Sequence, residues 1–254
     1  MDNTSLAKFI TSLGSLNGYG STVLQTKKAL DSKSTEPLTQ DSEDPVIFSD
    51  ALKGIAAIKE VGFSSEGIIS INKQFDSPSI EQPNWPGHLR NATYNEEDRI
   101  AIIVDEKSQL KYIPKEVITR NDLDEIVNQY RHSAQEEFDA WTVFAKLSKL
   151  QAFQDGNKRT ALIAANSAYG TFESGNYLVL PFNDLDRAEF TINLMRYYIA
   201  NDEASEQSAF NKMMNTLPST EERIRELHKP IKEETFTDAK TIRLKPQIRS
   251  KHND

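Results

Sequence analysis

Residues 151–160 read QAFQDGNKRT, and this stretch organises everything around it. Upstream, Phe138, Trp141, Ala145 and then Leu147 or Ser148 recur at helical spacing up to Leu150, behind a Ser133 and Glu136 pair with the form of a capping box. Downstream, Ala161, Leu162, Ala164, Ala165 and Ala168 are small and apolar nearly all round, as in a central helix enclosed by others. The decamer is therefore a turn between two helices, and it aims Asp155, Gly156, Asn157, Lys158 and Arg159 at one point. Such a point suits a phosphate. An Asp can hold a divalent metal, Gly156 lets backbone approach a ligand, and Lys158 and Arg159 bring positive charge to a helix start whose free N–H groups already attract anions. A proton acceptor is missing, because the run has no His and Gln151 is a neutral amide.

Working outward, the remaining pattern is mainly helical. Residues 1–30 carry Leu6, Phe9, Ile10, Leu13 and Leu16 at helical spacing, weakened toward the end by Gly14, Gly18 and Gly20, and Ser32 to Pro45 is a polar linker. Ile47, Ala51, Leu52, Ile55 and Ile58 predict a helix over about Ser49 to Glu60 that ends before Gly62. Ser64 or Ser65 caps the next helix, with Ile68, Ile69 and Ile71 inside, and it stops in SPSIEQPNWPGHLR, residues 77–90. AIIVD (101–105) and LKYI (110–113), on either side of EKSQ, read as a β-hairpin. Asp186 with Glu189 marks a helix carrying Phe190, Leu194, Met195 and Tyr198, and Ser219 with Glu222 marks a last one. Beyond Pro230 the chain is charged and sparse in apolar residues, which predicts a frayed tail. The fold class is mainly α with one hairpin, in one domain. Its boundaries are an N-terminal extension and linker over 1–45, the main domain over 46–216 and a charged tail over 217–254.

Composition narrows the function. The chain has 254 residues, with 30 Lys plus Arg against 38 Asp plus Glu and a net charge of -8, which argues against general nucleic-acid binding or an anionic membrane as partner. With no cysteine there is no disulfide, thiolate metal site or Cys nucleophile. The first twenty residues lack the uninterrupted apolar core of a signal peptide, and no apolar run is long enough for a membrane span, so a cytoplasmic protein is expected.

The run QAFQDGNKRTAL is similar to the signature of the Fic/Doc (Fido) family, HxFx(D/E)GNxR. The order of elements agrees over about residues 46 to 200: a helix pair, a turn with Pro86, Gly87 and Arg90, a hairpin ending in Tyr112, Ile113 and Pro114, the signature between two helices, then YLVLP and a helix. The resemblance implies a Fido-type helical bundle whose hairpin is a flap. It further implies transfer of AMP from ATP, with Mg²⁺ as cofactor, to a hydroxyl side chain of a target protein docked on the 101–113 hairpin. On that basis Asp155 is the metal ligand, Gly156, Asn157 and the backbone after them form the anion hole with Lys158 beside it, Arg159 holds a phosphate, and Phe153 anchors the loop in the core.

Three positions depart from the family pattern. Gln151 stands in place of the His that takes the proton from the acceptor, a loss worth about a hundred- to ten-thousandfold in rate. Leu162 stands in place of the second Arg of AMP-transferring members and Lys158 in place of a Gly, both as in the Doc branch, whose members phosphorylate their target. Ser49 to Gly54 resembles the family's inhibitory motif, (S/T)xxxE(G/N), with Lys53 in the Glu position, so the brake and its Arg partner are both altered. Two other readings stand beside AMP transfer: a catalytically inactive Fic-like regulatory or toxin-related interaction module, and a Doc-like protein kinase. A homo-oligomer or an antitoxin partner is compatible with each. Of the four histidines, His88, His132, His228 and His252, only His88 neighbours a family element, the Pro86 to Arg90 turn. Trp85 and Trp141 read as packing residues, and Arg243, Lys245, Arg249 and Lys251 as a solvated basic face.

Overall fold

The small, uniformly apolar helix after the signature does become the centre of the bundle. In the computed structural model, which describes residues 2–231 apart from 40, 80, 81 and 106, the elements run α1 (Thr4–Gly14), α2 (Val23–Ser32), α3 (Asp44–Val61), α4 (Ser65–Asn72), β1 (Ile102–Asp105) and β2 (Leu110–Tyr112). They continue with α5 (Arg120–Arg131), α6 (Glu137–Leu150), α7 (Asn157–Ala168), α8 (Thr171–Ser174), α9 (Asp184–Ile199), α10 (Glu203–Met214) and α11 (Thr220–His228). The protein is mainly helical, with a two-stranded antiparallel sheet among the described residues. Helix α7 packs against α1, α3, α4 and α6, and residues 161 to 165 are fully buried. Ala161, Ala164 and Ala165 let neighbouring helices come close, while Trp141, Phe144 and Phe190 fill the gap between α6 and α9 with edge-on and tilted ring contacts.

Several helix starts differ from the sequence expectation, each for a local reason. Helix α3 begins at Asp44, five residues before the expected Ser49, because Pro45 falls in the first turn, where its missing N–H has no intrahelical partner to lose. The Asp44 carboxylate is buried and accepts from Gly20 N–H at 2.9 Å and Ser21 Oγ at 2.5 Å, so it ties α3 to the loop before α2. Residues 1–30 form two helices, divided at the left-handed Gly18, and Thr22 with Gln25 caps the second. Helix α6 is capped by Glu136, whose N–H donates to Asp139 at 3.0 Å; Ser133 instead closes α5 by donating to the Tyr130 carbonyl at 2.8 Å. Phe138, expected on the buried face, is 46% exposed because it lies in the first turn and packs only edge-on against Phe210. Helix α9 starts at Asp184, with Asn183 as its cap accepting from Asp186 N–H. Ser64 is the cap of α4 and Ser219 the cap of α11, as the sequence indicates.

Helices α5 and α10 lie in stretches for which no helix was expected. Helix α5 has a Thr119 and Asp122 cap and buries Leu123, Ile126, Val127 and Tyr130. The N-terminal extension and the start of the charged tail both join the main core: Ala7, Phe9, Ile10 and Leu13 of α1 and Leu227 of α11 are fully buried. Arg223 of α11 donates to the Asn176 and Tyr177 carbonyls, each at 2.7 Å, and pairs with Glu137 at 2.5 Å. The frayed tail and the basic residues 243–251 lie outside the described residues. No helix among the described residues is long and apolar enough to cross a membrane.

Candidate functional site

The signature turn is built from its own side chains. Gln151 ends α6 in the left-handed region, at φ 50° and ψ 57°, and is 7% exposed. Its amide donates to the Ser148 carbonyl at 2.6 Å and accepts from Asn157 Nδ2 at 3.1 Å. Asn157 closes the loop: Oδ1 accepts from Phe153 N–H at 2.9 Å and Nδ2 also donates to the Phe153 carbonyl at 2.8 Å. Phe153 is 2% exposed and anchors the loop in the core. Tyr198 lies against Ser148 and Gln151, and burial pushes its phenol pKa well up, so it stays protonated and cannot act as a base. The Asn157 side chain, for which the resemblance implies a place in an anion hole, is engaged in holding the turn together.

Gly156 caps α7 with φ 74°, a conformation that suits glycine. A Cβ there would stand 2.5 Å from Phe75 Cδ2 and 3.1 Å from Asn72 Nδ2, so the missing side chain admits Phe75 from the end of α4 and leaves the space filled by protein. Asp155 is half-buried, with one carboxylate oxygen accepting from Gly156 N–H, and its carbonyl accepts from Asn72 Nδ2 at 2.9 Å. Lys158 reaches back to the Leu16 carbonyl at 3.3 Å. Arg159, which the sequence puts on a phosphate, is 1% exposed; its guanidinium lies 4.6 Å over the Phe75 ring and donates to Gln82 at 3.4 Å.

Helix α3 does face Arg159, but through Asp50, one turn ahead of Lys53. The Asp50 side chain is fully buried and accepts from Gln82 Nε2 at 2.6 Å and Ser77 Oγ at 2.8 Å. Burial raises its pKa, against the Ser77 bond and the charges of Lys53 and Arg159, which act to lower it. Lys53 is exposed and pairs with Asp76 at 2.8 Å and Asp50 at 3.5 Å. Ser49 donates to the Pro45 carbonyl at 2.7 Å, and Gly54 is a packing position, since a Cβ there would meet Ile71 at 3.1 Å and Ile163 at 3.3 Å. Leu162, where the resemblance would place a second Arg, is fully buried and sits at a core position.

Two residues hold the hairpin and the turn together. Arg90 is 1% exposed and donates to three main-chain carbonyls, Gln151 at 2.6 Å, Asp98 at 2.8 Å and Lys115 at 2.9 Å, while its own N–H donates to Ala152. Tyr112, at the end of β2, donates to the Lys149 carbonyl at 2.9 Å and rests against Tyr198. The strands pair Ile102 with Tyr112 and Ile103 with Lys111, with a bulge before Asp105. Each strand has an outer edge with no third strand on it among the described residues. Ile103, Leu110 and Ile113 are 52%, 43% and 72% exposed. A cleft of about 380 Å³ opens at the foot of the hairpin between Ala101, Ile113, Pro114 and Arg99.

Asp155 can supply one oxygen to a cation, and no group of three or more His, Asp or Glu side chains among the described residues could hold a metal by themselves. Mg²⁺ commonly takes one or two carboxylates together with substrate phosphates. The donor set therefore fits Mg²⁺ arriving with a nucleotide and does not fit a resident ion. Sequence comparison finds no protein-family model and no curated protein that matches this chain. What the coordinates define is a mainly helical protein in which a polar helix-turn-helix segment is fastened to an open-edged hairpin.

Proposed function

We propose that this chain is a Fic-like nucleotide-binding protein that lays a target polypeptide along its hairpin and transfers AMP from ATP to a hydroxyl of that target. The observation that supports it best is the fastening of an open-edged hairpin, with Ile103, Leu110 and Ile113 facing solvent, to the end of α6 at Lys149 and Gln151, just before the Asp155 to Arg159 turn, through Tyr112 and Arg90. An added strand gains main-chain hydrogen bonds along such an edge, and a rigid tie to the turn fixes where its side chains fall. In this reading Asp155 would hold Mg²⁺ with the nucleotide phosphates, where the ion would neutralise their charge, and the N–H groups at the start of α7 would receive a phosphate. In the same reading Arg159, which now donates to Gln82, exchanges that partner for a phosphate.

The occupied amide of Gln151 and the enclosure of Arg159 favour a second reading, a Fic-like interaction module that binds without turnover. The two separate in one experiment: purified protein is incubated with Mg²⁺, cell extract and ATP labelled at the α-phosphate, beside Asp155→Ala. AMP transfer predicts a labelled protein band that Asp155→Ala loses. No band above that control, with nucleotide binding retained by calorimetry, leaves the interaction module. A band only from ATP labelled at the γ-phosphate marks a Doc-like kinase, the activity that Leu162 and Lys158 resemble.

A further inference from the structure

The turn at Trp85 to His88 is stitched to the signature loop on both sides. Trp85 N–H donates to Gln154 Oε1 at 3.1 Å, and Gly87 N–H donates to Asn72 Oδ1 at 2.9 Å, whose Nδ2 in turn holds the Asp155 carbonyl. His88 is therefore held in a turn that borders Gln154 and, through Asn72, Asp155. Its Nε2 is 3.0 Å from Oδ2 of Asp98, and Asp98 is fully buried. That carboxylate also accepts from Asn91 N–H at 2.6 Å, Gln154 Nε2 at 2.8 Å and Asn95 Nδ2 at 3.2 Å. Burial alone pushes the Asp98 pKa up, but the bonds from Asn91, Gln154 and His88 outweigh it and hold the carboxyl below its ordinary value. An ionised Asp98 takes a proton-bearing Nε2, which leaves the lone pair of a neutral imidazole on Nδ1. Nδ1 makes no hydrogen bond to the described residues, the side chain is 34% exposed, and Trp85 packs edge-on against the ring at 5.1 Å.

We infer that His88, oriented by Asp98, is the proton acceptor that position 151 no longer supplies. Only the Nε2 side of the ring is needed to hold the turn; the bland role of a structural histidine leaves the exposed Nδ1 without a purpose. The division of labour is that of the buried carboxylate and imidazole in hydrolases, where the acid fixes tautomer and ring plane and the other nitrogen meets the hydroxyl. In the transfer step, the proton of the target hydroxyl passes to Nδ1 as its oxygen forms a bond to the α-phosphorus of ATP. The bond from that phosphorus to the bridging oxygen breaks, pyrophosphate leaves with the electron pair, and the imidazolium returns its proton to water.

This inference rests on the transferase reading, and one set of variants separates the two. His88→Gln can keep a donor to Asp98 but removes the base, so it is expected to lower the initial rate of label transfer from α-labelled ATP to extract protein by about a hundred- to ten-thousandfold. Its affinity for Mg²⁺ and ATP by calorimetry should stay within about twofold of wild type, because Nδ1 acts on the acceptor. His88→Ala should be inactive and partly rescued by added imidazole, which a purely structural histidine would not show. Transfer that survives His88→Gln, or His88→Ala that binds nucleotide yet gains nothing from imidazole, overturns the inference and leaves the transferase reading standing. A wild-type protein that binds nucleotide and labels nothing overturns both.

Discussion

The signature turn and the hairpin are neighbours with opposite characters. In the turn, Gln151, Asn157 and Gly156 are committed to one another, to Phe153 and to Phe75, and Arg159 is enclosed. In the hairpin, the apolar side chains of Ile103, Leu110 and Ile113 face water and the outer edges carry no strand among the described residues. Interior polar groups that satisfy each other fix a shape, because breaking one bond strands its partner at a cost of about 1–3 kcal/mol. Exposed strand edges fix nothing and remain available for pairing. The difference teaches that residues typical of a ligand site can be serving the loop's own architecture, while the element with the weakest internal bonding is the one whose edges stay open.

Stability measurements can break this contrast. Arg90→Met should have the largest effect, about 3 kcal/mol or more in urea unfolding, since it strands three carbonyls at the junction of turn and hairpin. Gly156→Ala should cost about 2–3 kcal/mol, from a positive φ and a 2.5 Å approach to Phe75. Because the clash is with one ring, Phe75→Leu combined with Gly156→Ala should cost less than the two changes summed. Asn157→Ala should cost about 1–2 kcal/mol if its amide holds the loop, and close to nothing if it serves only a ligand.

The acid limb offers a finer test. Asp98 has a folded pKa below its unfolded value, so its contribution is fully present above about pH 4 and is lost as pH falls through the lower folded value. Stability measured from pH 6 to pH 2.5 should fall less steeply in Asp98→Asn than in wild type. Smallest of all should be Ile103→Lys, within about 0.5 kcal/mol of wild type. Under the proposed transfer reading its effect should appear as weaker labelling of the target, whereas an Ile103→Lys protein as unstable as the turn variants would erase the distinction between the two regions.

The sequence carried the helical class, the hairpin, the central helix after the signature and the caps at Ser64 and Ser219, because periodicity and capping are local. Helix α5 is equally local, with Thr119, Asp122 and an apolar face at Leu123, Ile126, Val127 and Tyr130. Helix α10 gave little to read, since only Ala209, Phe210 and Met213 are buried in it. The site was legible as a turn but not as a set of contacts. Asn72 meets Asp155 across 83 residues, Gln82 meets Arg159 across 77 and Asn91, Asn95 and Gln154 converge with His88 on one buried carboxylate. No spacing rule encodes such partners; Asp98 offered only its type, one acid among EED.

The clasp between the first and the last of the described helices has a consequence for the order of assembly. Lys8 of α1 donates to the Glu226 and Lys229 carbonyls at 2.5 Å and 2.6 Å, across more than two hundred positions of chain. During synthesis at about 5–20 residues per second, α1 emerges ten seconds or more before the carbonyls that receive its lysine. Its apolar face must meanwhile rest on α2 and α3, or on a chaperone, until α11 leaves the ribosome and closes the bundle.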